Sequence, residues 1–183
     1  MRASLRHDCG ASGRQAFTLV ELLVVVVIIA ILAAIIVGAY QRVVATGRST
    51  ACLSNLRQLG AALNLYLGEH QMLMPELKAG RASLEDDVPV LDNTLIKYVE
   101  TPAAFLCPAD EKYGPASGTS YSWNVALNGQ PVSNLNFLGV LNEPSKVPIM
   151  GDKEGFHRHL KDQVNILYGD GHVTQGLRLS TGS

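Results

Sequence analysis

Charged residues are scarce in this chain of 183 amino acids, at 17% of the total, and 15 Lys and Arg are balanced by 16 Asp and Glu. A protein that binds nucleic acid gains its affinity from clustered Lys and Arg that neutralise phosphates. The sequence has no long basic run, so we predict no nucleic acid among its partners. Its length allows one modest domain at most.

The usual sequence signatures of enzymes are also missing. The chain has no glycine-rich GxGxxG or P-loop segment, no GxSxG nucleophile elbow and no CxxC pair. Nothing in the sequence therefore points to a catalytic residue, and we predict that the protein is not an enzyme.

What the sequence does have is a long uncharged segment near its N-terminus. Residues 22–40 (LLVVVVIIAILAAIIVGAY) carry no charge and no side-chain amide. As a helix they would be about 28 Å long, which matches the membrane hydrocarbon core of about 30 Å. Arg2, Arg6 and Arg14 precede the segment, so the N-terminus should stay in the cytoplasm and the C-terminal part should cross the membrane.

Glu21 needs an explanation, because a carboxylate at the edge of an apolar spanning segment costs several kcal/mol unless it is paired or neutralised. If the chain is cut before Phe17, the new α-amine lies four residues away. The same amine of another copy is equally available in a helical bundle. Alternatively, Glu21 simply reaches the membrane interface near the helix end.

The stretch GRQAFTLVELLVVVVIIAILAAI resembles the leader and first segment of type IV pilins and of type II secretion pseudopilins. This resemblance implies that a prepilin peptidase cuts between Ala16 and Phe17 and methylates Phe17. Glu21 then becomes the fifth residue and pairs with the N-terminus of a neighbouring subunit during fibre assembly. The family usually has Gly before the cut, but a cut after Gly13 would displace Glu21 from the fifth position.

The segment that follows Tyr40 has helical periodicity. Leu56, Leu59, Leu63 and Leu67 recur at spacings of three and four residues, which predicts an amphipathic helix that continues the spanning one. Further along, a loop is expected from residue 101, a short helix at 92–99, and strands at 120–126, 147–150, 164–168 and 172–177.

Asp170 and Gly171 stand between the last two predicted strands, and Asp-Gly between apolar runs is a strong hairpin signal. The fold class is therefore predicted to be α+β. A long N-terminal helix, membrane-spanning in its first half and amphipathic in its second, should pack on a small, mainly antiparallel C-terminal sheet. The expected organisation is a prepilin leader at 1–16, a transmembrane and assembly helix at 17–40, and a periplasmic pilin-like globular domain at 41–183.

The C-terminal half shows a second resemblance. FLCP, SYSWN, PIMGD and RH…DGHV occur in the order seen in a large bacterial group of pilin-like proteins, whose C-terminal motif is His, nine residues, then Asp-Gly. In this chain ten residues separate His159 from Asp170, one more than in that motif.

Asp152, His157, His159, Asp170 and His172 form the one dense collection of metal-ligand residue types. Major pseudopilins bind calcium in a C-terminal loop, so by resemblance Asp152 and Asp170 could bind calcium with loop carbonyls, and His159 and His172 complete the candidate set. The alternative is that Asp170 serves the turn, Asp152 begins a loop, and the histidines are surface or packing residues.

Cysteine is rare, with three in the chain. Cys9 falls in the predicted leader, which leaves Cys52 and Cys107 in the translocated part. Two cysteines in an oxidising compartment are candidates for one disulfide. Two buried thiols would give the same sequence pattern.

Together these patterns predict a pilin-like or pseudopilin-like structural subunit of a fibre assembled at the bacterial inner membrane. Its expected partners are the prepilin peptidase, other pilin-like subunits and an inner-membrane assembly platform, with calcium as the one candidate cofactor. Two other readings stay open: a monomeric, membrane-anchored periplasmic binding module, and a tethered metal-dependent enzyme that uses the His and Asp collection.

Overall fold

The structure is a computed structural model that describes residues 18–157 and 163–176. The chain divides into two compact units, Met1–Tyr40 and Gln41–Ser183. Helix α1, Leu19–Glu69, begins in the first unit and continues into the second. Within the described residues it is the one helix long and apolar enough to cross a membrane.

In the second unit, the described residues form two short α-helices and a four-stranded sheet after α1, and the predicted α+β class is confirmed. The strands are all antiparallel to their neighbours and lie in chain order, β1-β2-β3-β4. The elements after α1 are α2 (Leu91–Leu95), α3 (Tyr113–Ser117), β1 (Tyr121–Trp123), β2 (Pro148–Asp152), β3 (Asn165–Tyr168) and β4 (Val173–Gln175).

The C-terminal part of α1 packs its predicted apolar face into the core. Leu56, Leu59, Leu63 and Leu67 are all at most 2% exposed, and each buried leucine contributes about 1.5–3 kcal/mol of hydrophobic free energy. The helix comes so close to β3 that a Cβ at Gly60 would lie 3.2 Å from the methyl carbons of Leu167. The small residue at this position allows the helix and the sheet to pack closely.

Residues 101–118, predicted to be a loop, contain helical structure. A 3-10 helix, Pro102–Phe105, starts after Thr101, whose side chain accepts a hydrogen bond from Ala103 N. Proline at the first helical position costs no hydrogen bond there. The predicted strand 120–126 is shorter than expected and ends at Trp123, because Asn124 Oδ1 accepts from Ala126 N and turns the chain.

The predicted helix at 92–99 is confirmed in part, as α2 followed by a 3-10 turn, Ile96–Tyr98. The hairpin predicted at Asp170 and Gly171 is present between β3 and β4. Gly171 has φ +87°, a backbone conformation that glycine adopts without steric cost, and its N–H donates to Tyr168 O.

Candidate functional site

The N-terminal end of α1 is closed by a pair of reciprocal hydrogen bonds between Thr18 and Glu21. Thr18 N donates to Glu21 Oε2 at 2.9 Å, and Glu21 N donates to Thr18 Oγ1 at 3.2 Å. Thr18 Oγ1 also donates to Glu21 Oε2 at 2.8 Å. This is a capping box, which satisfies backbone donors that the first helical turn leaves unpaired. The sequence analysis missed it, although Thr followed three residues later by Glu before an apolar run is its signature.

Beyond this cap, α1 presents an uninterrupted apolar surface. Every residue from 19 to 37 is exposed, and the leucines, isoleucines and valines among them have 46–81% of their surface accessible. Exposed apolar patches of this extent mark a membrane or protein contact. This part of the helix is compatible with a membrane anchor of the pilin type.

In the second unit, Cys52 of α1 and Cys107 are joined in a disulfide with their Cα atoms 5.1 Å apart. Both residues are buried, at 0% and 2% exposure. They connect α1 to the segment that precedes α3, as the sequence suggested for this pair.

A buried polar cluster of His157, Asp152 and Asn165 lies against this disulfide. His157 Nε2 is 3.8 Å from Cys107 Sγ, 3.4 Å from Asp152 Oδ2 and 2.9 Å from Asn165 Nδ2. Asn165 donates from its backbone N, at 2.8 Å, and from Nδ2, at 3.0 Å, to the same Asp152 Oδ2. The side chains of Asp152 and His157 are 0% and 1% exposed.

Burial raises the pKa of the Asp152 carboxyl above its ordinary value, against the opposing hydrogen bonds from His157 and Asn165. Its second oxygen, Oδ1, has no hydrogen-bond partner among the described residues. Buried polar atoms are rarely left unpaired in folded proteins. Asp152 and His157 were candidates from the sequence. Asn165 was missed, although a polar residue inside the apolar segment 164–168 is a visible signal.

Asp170 and His172 lie in the β3–β4 hairpin, not beside Asp152. Asp170 Oδ1 accepts from His172 N at 3.1 Å and also contacts His172 Nδ1. The ring of His172 stacks on Tyr168 with 4.5 Å between centroids. These contacts match the alternative in which Asp170 serves the turn.

The sequence offered Asp152, His159, Asp170 and His172 as candidate metal ligands, and the described residues do not bring Asp152 and Asp170 together. Asp152 lies beside the first residue of β3, whereas Asp170 follows its last residue. A strand of this length separates its two ends by about 10 Å, too far for Asp152 and Asp170 to share one ion. His159 lies outside the described residues, as do Ala16 and Phe17. Calcium binding stays a prediction.

Asp110 holds the segment that carries Cys107. Its Oδ1 accepts from the backbone N of Lys112 and Tyr113 at 2.9 and 2.8 Å, and its Oδ2 accepts from Gly114 N at 2.7 Å. Burial acts to raise the pKa of this carboxyl, but hydrogen bonds from Ser120 and these amides outweigh it and hold the pKa below its ordinary value.

We therefore expect Asp110→Ala to lower the free energy of unfolding by about 2 kcal/mol at neutral pH. A lowered pKa in the folded state contributes stability above the unfolded pKa of about 3.9, and that stability is lost as the pH falls through the folded pKa. The difference between Asp110→Ala and the unaltered chain should shrink below about pH 4. Urea titrations followed by Trp123 fluorescence test this, with the exposed Asp87→Ala as control. If the difference in free energy of unfolding between Asp110→Ala and the unaltered chain is as large at low pH as at neutral pH, the stabilising role of the ionised Asp110 is wrong.

The N-terminal part of the chain is similar to a known protein family. A family model described as the prokaryotic N-terminal methylation motif matches residues 11–37. No curated protein and no solved structure gives a significant match to the chain. The matched residues contain Ala16, Phe17 and Glu21, the three positions that the sequence analysis assigned to processing and assembly.

The motif implies processing by a prepilin peptidase and assembly with other pilin subunits, and it points to a structural subunit. The resemblance of the C-terminal half to pilin-like proteins stays a prediction. Residues 11–37, which match the motif, also contain the capping box and the exposed apolar part of α1. Residues 11–37 are therefore a type IV pilin-like prepilin segment, which supports a pilin-like or pseudopilin-like precursor.

Proposed function

We propose that the protein is a structural subunit of a fibre assembled at the bacterial inner membrane, in a type II secretion or type IV pilus machinery. A prepilin peptidase removes residues 1–16 and methylates the amine of Phe17. The observation that carries this proposal is the methylation motif at residues 11–37, which includes the first part of α1.

The exposed apolar surface of α1 explains why assembly is needed. Residues 19–37 are exposed in the part of the chain that the structure describes, so the bilayer covers them first, with the N-terminus cytoplasmic and the C-terminal unit periplasmic. In the fibre, copies of the same helix replace the lipid. No nucleotide-binding motif is present in the sequence, so the energy for extraction comes from the inner-membrane assembly platform.

Glu21 gives the bundle its axial register. Both of its side-chain hydrogen bonds with Thr18 go to Oε2, so Oε1 can accept from a second donor while the capping box stays intact. The methylated amine of Phe17 in a neighbouring subunit is such a donor. A charge pair of this kind is strongly favoured in an apolar environment, because each charge alone would be costly there.

The experiment that tests this function is mass spectrometry of the native protein extracted from membranes. We expect a chain that starts at Phe17 and carries the mass of one additional methyl group. Another prepilin in the same cells serves as the control for peptidase activity. A chain that still starts at Met1 while that control is processed would overturn the proposal and favour the membrane-anchored monomer.

A further inference from the structure

Three buried groups in the second unit lie together in an arrangement that the proposed fibre role does not require. The Sγ atoms of Cys52 and Cys107 and the Nε2 atom of His157 all lie within 4.8 Å of one another. In the oxidised chain the two sulfurs are bonded to each other. Once reduced, they would be two thiols facing an imidazole nitrogen.

We propose that the reduced chain binds one zinc ion at this place, with Cys52, Cys107 and His157 as ligands and the carboxylate of Asp152 in the fourth position. Two thiolates with one imidazole are a donor set that zinc prefers, and four ligands complete its tetrahedron. The site shares Asp152 with the calcium candidates but uses neither Asp170 nor His172 of the hairpin, and it depends on none of the residues that carry the fibre proposal.

The distances between the donor atoms suit a tetrahedral ion. With zinc bonds of about 2.3 Å to sulfur and about 2.0–2.2 Å to nitrogen and oxygen, neighbouring ligand atoms stand about 3.3–3.8 Å apart. In the structure His157 Nε2 is 3.8 Å from Cys107 Sγ and 3.4 Å from Asp152 Oδ2. These two distances between ligand atoms already match those around a tetrahedral zinc ion. The two sulfur atoms, which are bonded to each other in the oxidised chain, need to move apart.

Asn165 indicates which nitrogen of His157 carries the lone pair. Its Nδ2 lies 2.9 Å from His157 Nε2 and 3.0 Å from Asp152 Oδ2, so the amide donates to both atoms and Nε2 is the acceptor of its ring. Zinc would replace the Asn165 N–H on Nε2, and Asn165 would keep its hydrogen bonds to Asp152 Oδ2. Asp152 Oδ1 has no hydrogen-bond partner among the residues described, so this oxygen can turn toward an ion without losing a donor.

The disulfide and the zinc site exclude each other, because the same two sulfur atoms form either one. A dithiol reductant gives two electrons and two protons to the disulfide, which becomes two thiols, while the reductant becomes a disulfide. Zinc then displaces the two thiol protons and binds the two thiolates. A newly made chain is also reduced before any oxidant reaches it, so the ion can enter before the core closes around Cys52 and Cys107.

Cobalt titration of the full-length chain in detergent tests the proposal, under a phosphine reductant and in a Cys9→Ser background. Reduced protein should bind one equivalent of Co²⁺ with the intense visible bands of tetrahedral cobalt and a thiolate-to-cobalt band, and Zn²⁺ should displace it. The oxidised protein should show neither the visible bands of tetrahedral cobalt nor the thiolate-to-cobalt band. His157→Ala should weaken binding at least about tenfold, whereas the exposed His70→Ala should bind as the parent chain does.

Two results would overturn the proposal. One is a reduced chain, helical by circular dichroism, that shows no thiolate-to-cobalt band. The other is X-ray absorption of the zinc-loaded parent chain with a first shell other than two sulfurs and two lighter atoms. The second measurement needs no variant, so it decides the matter even if His157→Ala fails to fold.

Discussion

A chain that carries Glu21→Gln is expected to insert into the membrane and fold normally, yet to yield almost no fibres. Glutamine serves in a capping box as glutamate does, so the bond that Thr18 N donates is kept and only the charge is lost. Removing one partner of a buried ion pair costs about 3–5 kcal/mol, which corresponds to at least about a hundredfold weaker association between subunits. Immunoblots of the sheared-fibre and membrane fractions measure the ratio of assembled to membrane-held subunit.

The matched control for this variant is Thr18→Val, which keeps the Glu21 charge and removes the side-chain half of the cap. Losing a cap costs about 1 kcal/mol of helix stability, so fibre yield should stay close to that of the unaltered chain. If Thr18→Val abolishes fibres and Glu21→Gln does not, Glu21 acts through the helix cap. The proposed ion pair between Glu21 and a neighbouring subunit is then wrong.

The second large effect concerns the disulfide. Replacing Cys52 and Cys107 together by Ala should lower the free energy of unfolding of the second unit by about 4 kcal/mol, because the bridge closes a loop with a sequence separation of 55 residues. Trp123, the single tryptophan, is 2% exposed, so its fluorescence in a urea titration of the detergent-solubilised chain reports this unfolding.

Cys9→Ser in the uncleaved precursor is the control for the double replacement, since it removes the remaining cysteine without touching the bridge. It should leave the urea midpoint unchanged. A chemical reductant should lower the midpoint of the parent chain and have no effect on the double Ala variant. If the parent chain and the double Ala variant unfold at the same urea midpoint without reductant, the disulfide does not stabilise the fold.

The N-terminal region could be recognised because its signals are local. A helix long and apolar enough to cross a membrane is visible as an uncharged run, and the methylation motif lies within residues 11–37. The apolar face of the second half of α1 follows from helical periodicity, and the hairpin follows from Asp170 and Gly171. Each of these features depends on neighbours within a few positions of one another, which is the range that sequence patterns report.

Residue types alone did not reveal which titratable groups meet. Asp152, Asp170 and His172 look like one collection in the sequence, but a strand places Asp152 and Asp170 at its opposite ends. His157 instead meets Cys107, fifty residues earlier in the chain.

The sequence by itself therefore determined the helix, its exposed apolar half and the methylation motif, because an apolar run of that length has few other ways to satisfy its backbone and cover its side chains. Only the tertiary structure decided the buried cluster of His157, Asp152 and Asn165 beside Cys52 and Cys107. Antiparallel register and the close contact between helix and sheet at Gly60 bring those residues together. Contacts between positions this distant depend on the packing of the whole core, which no local pattern encodes.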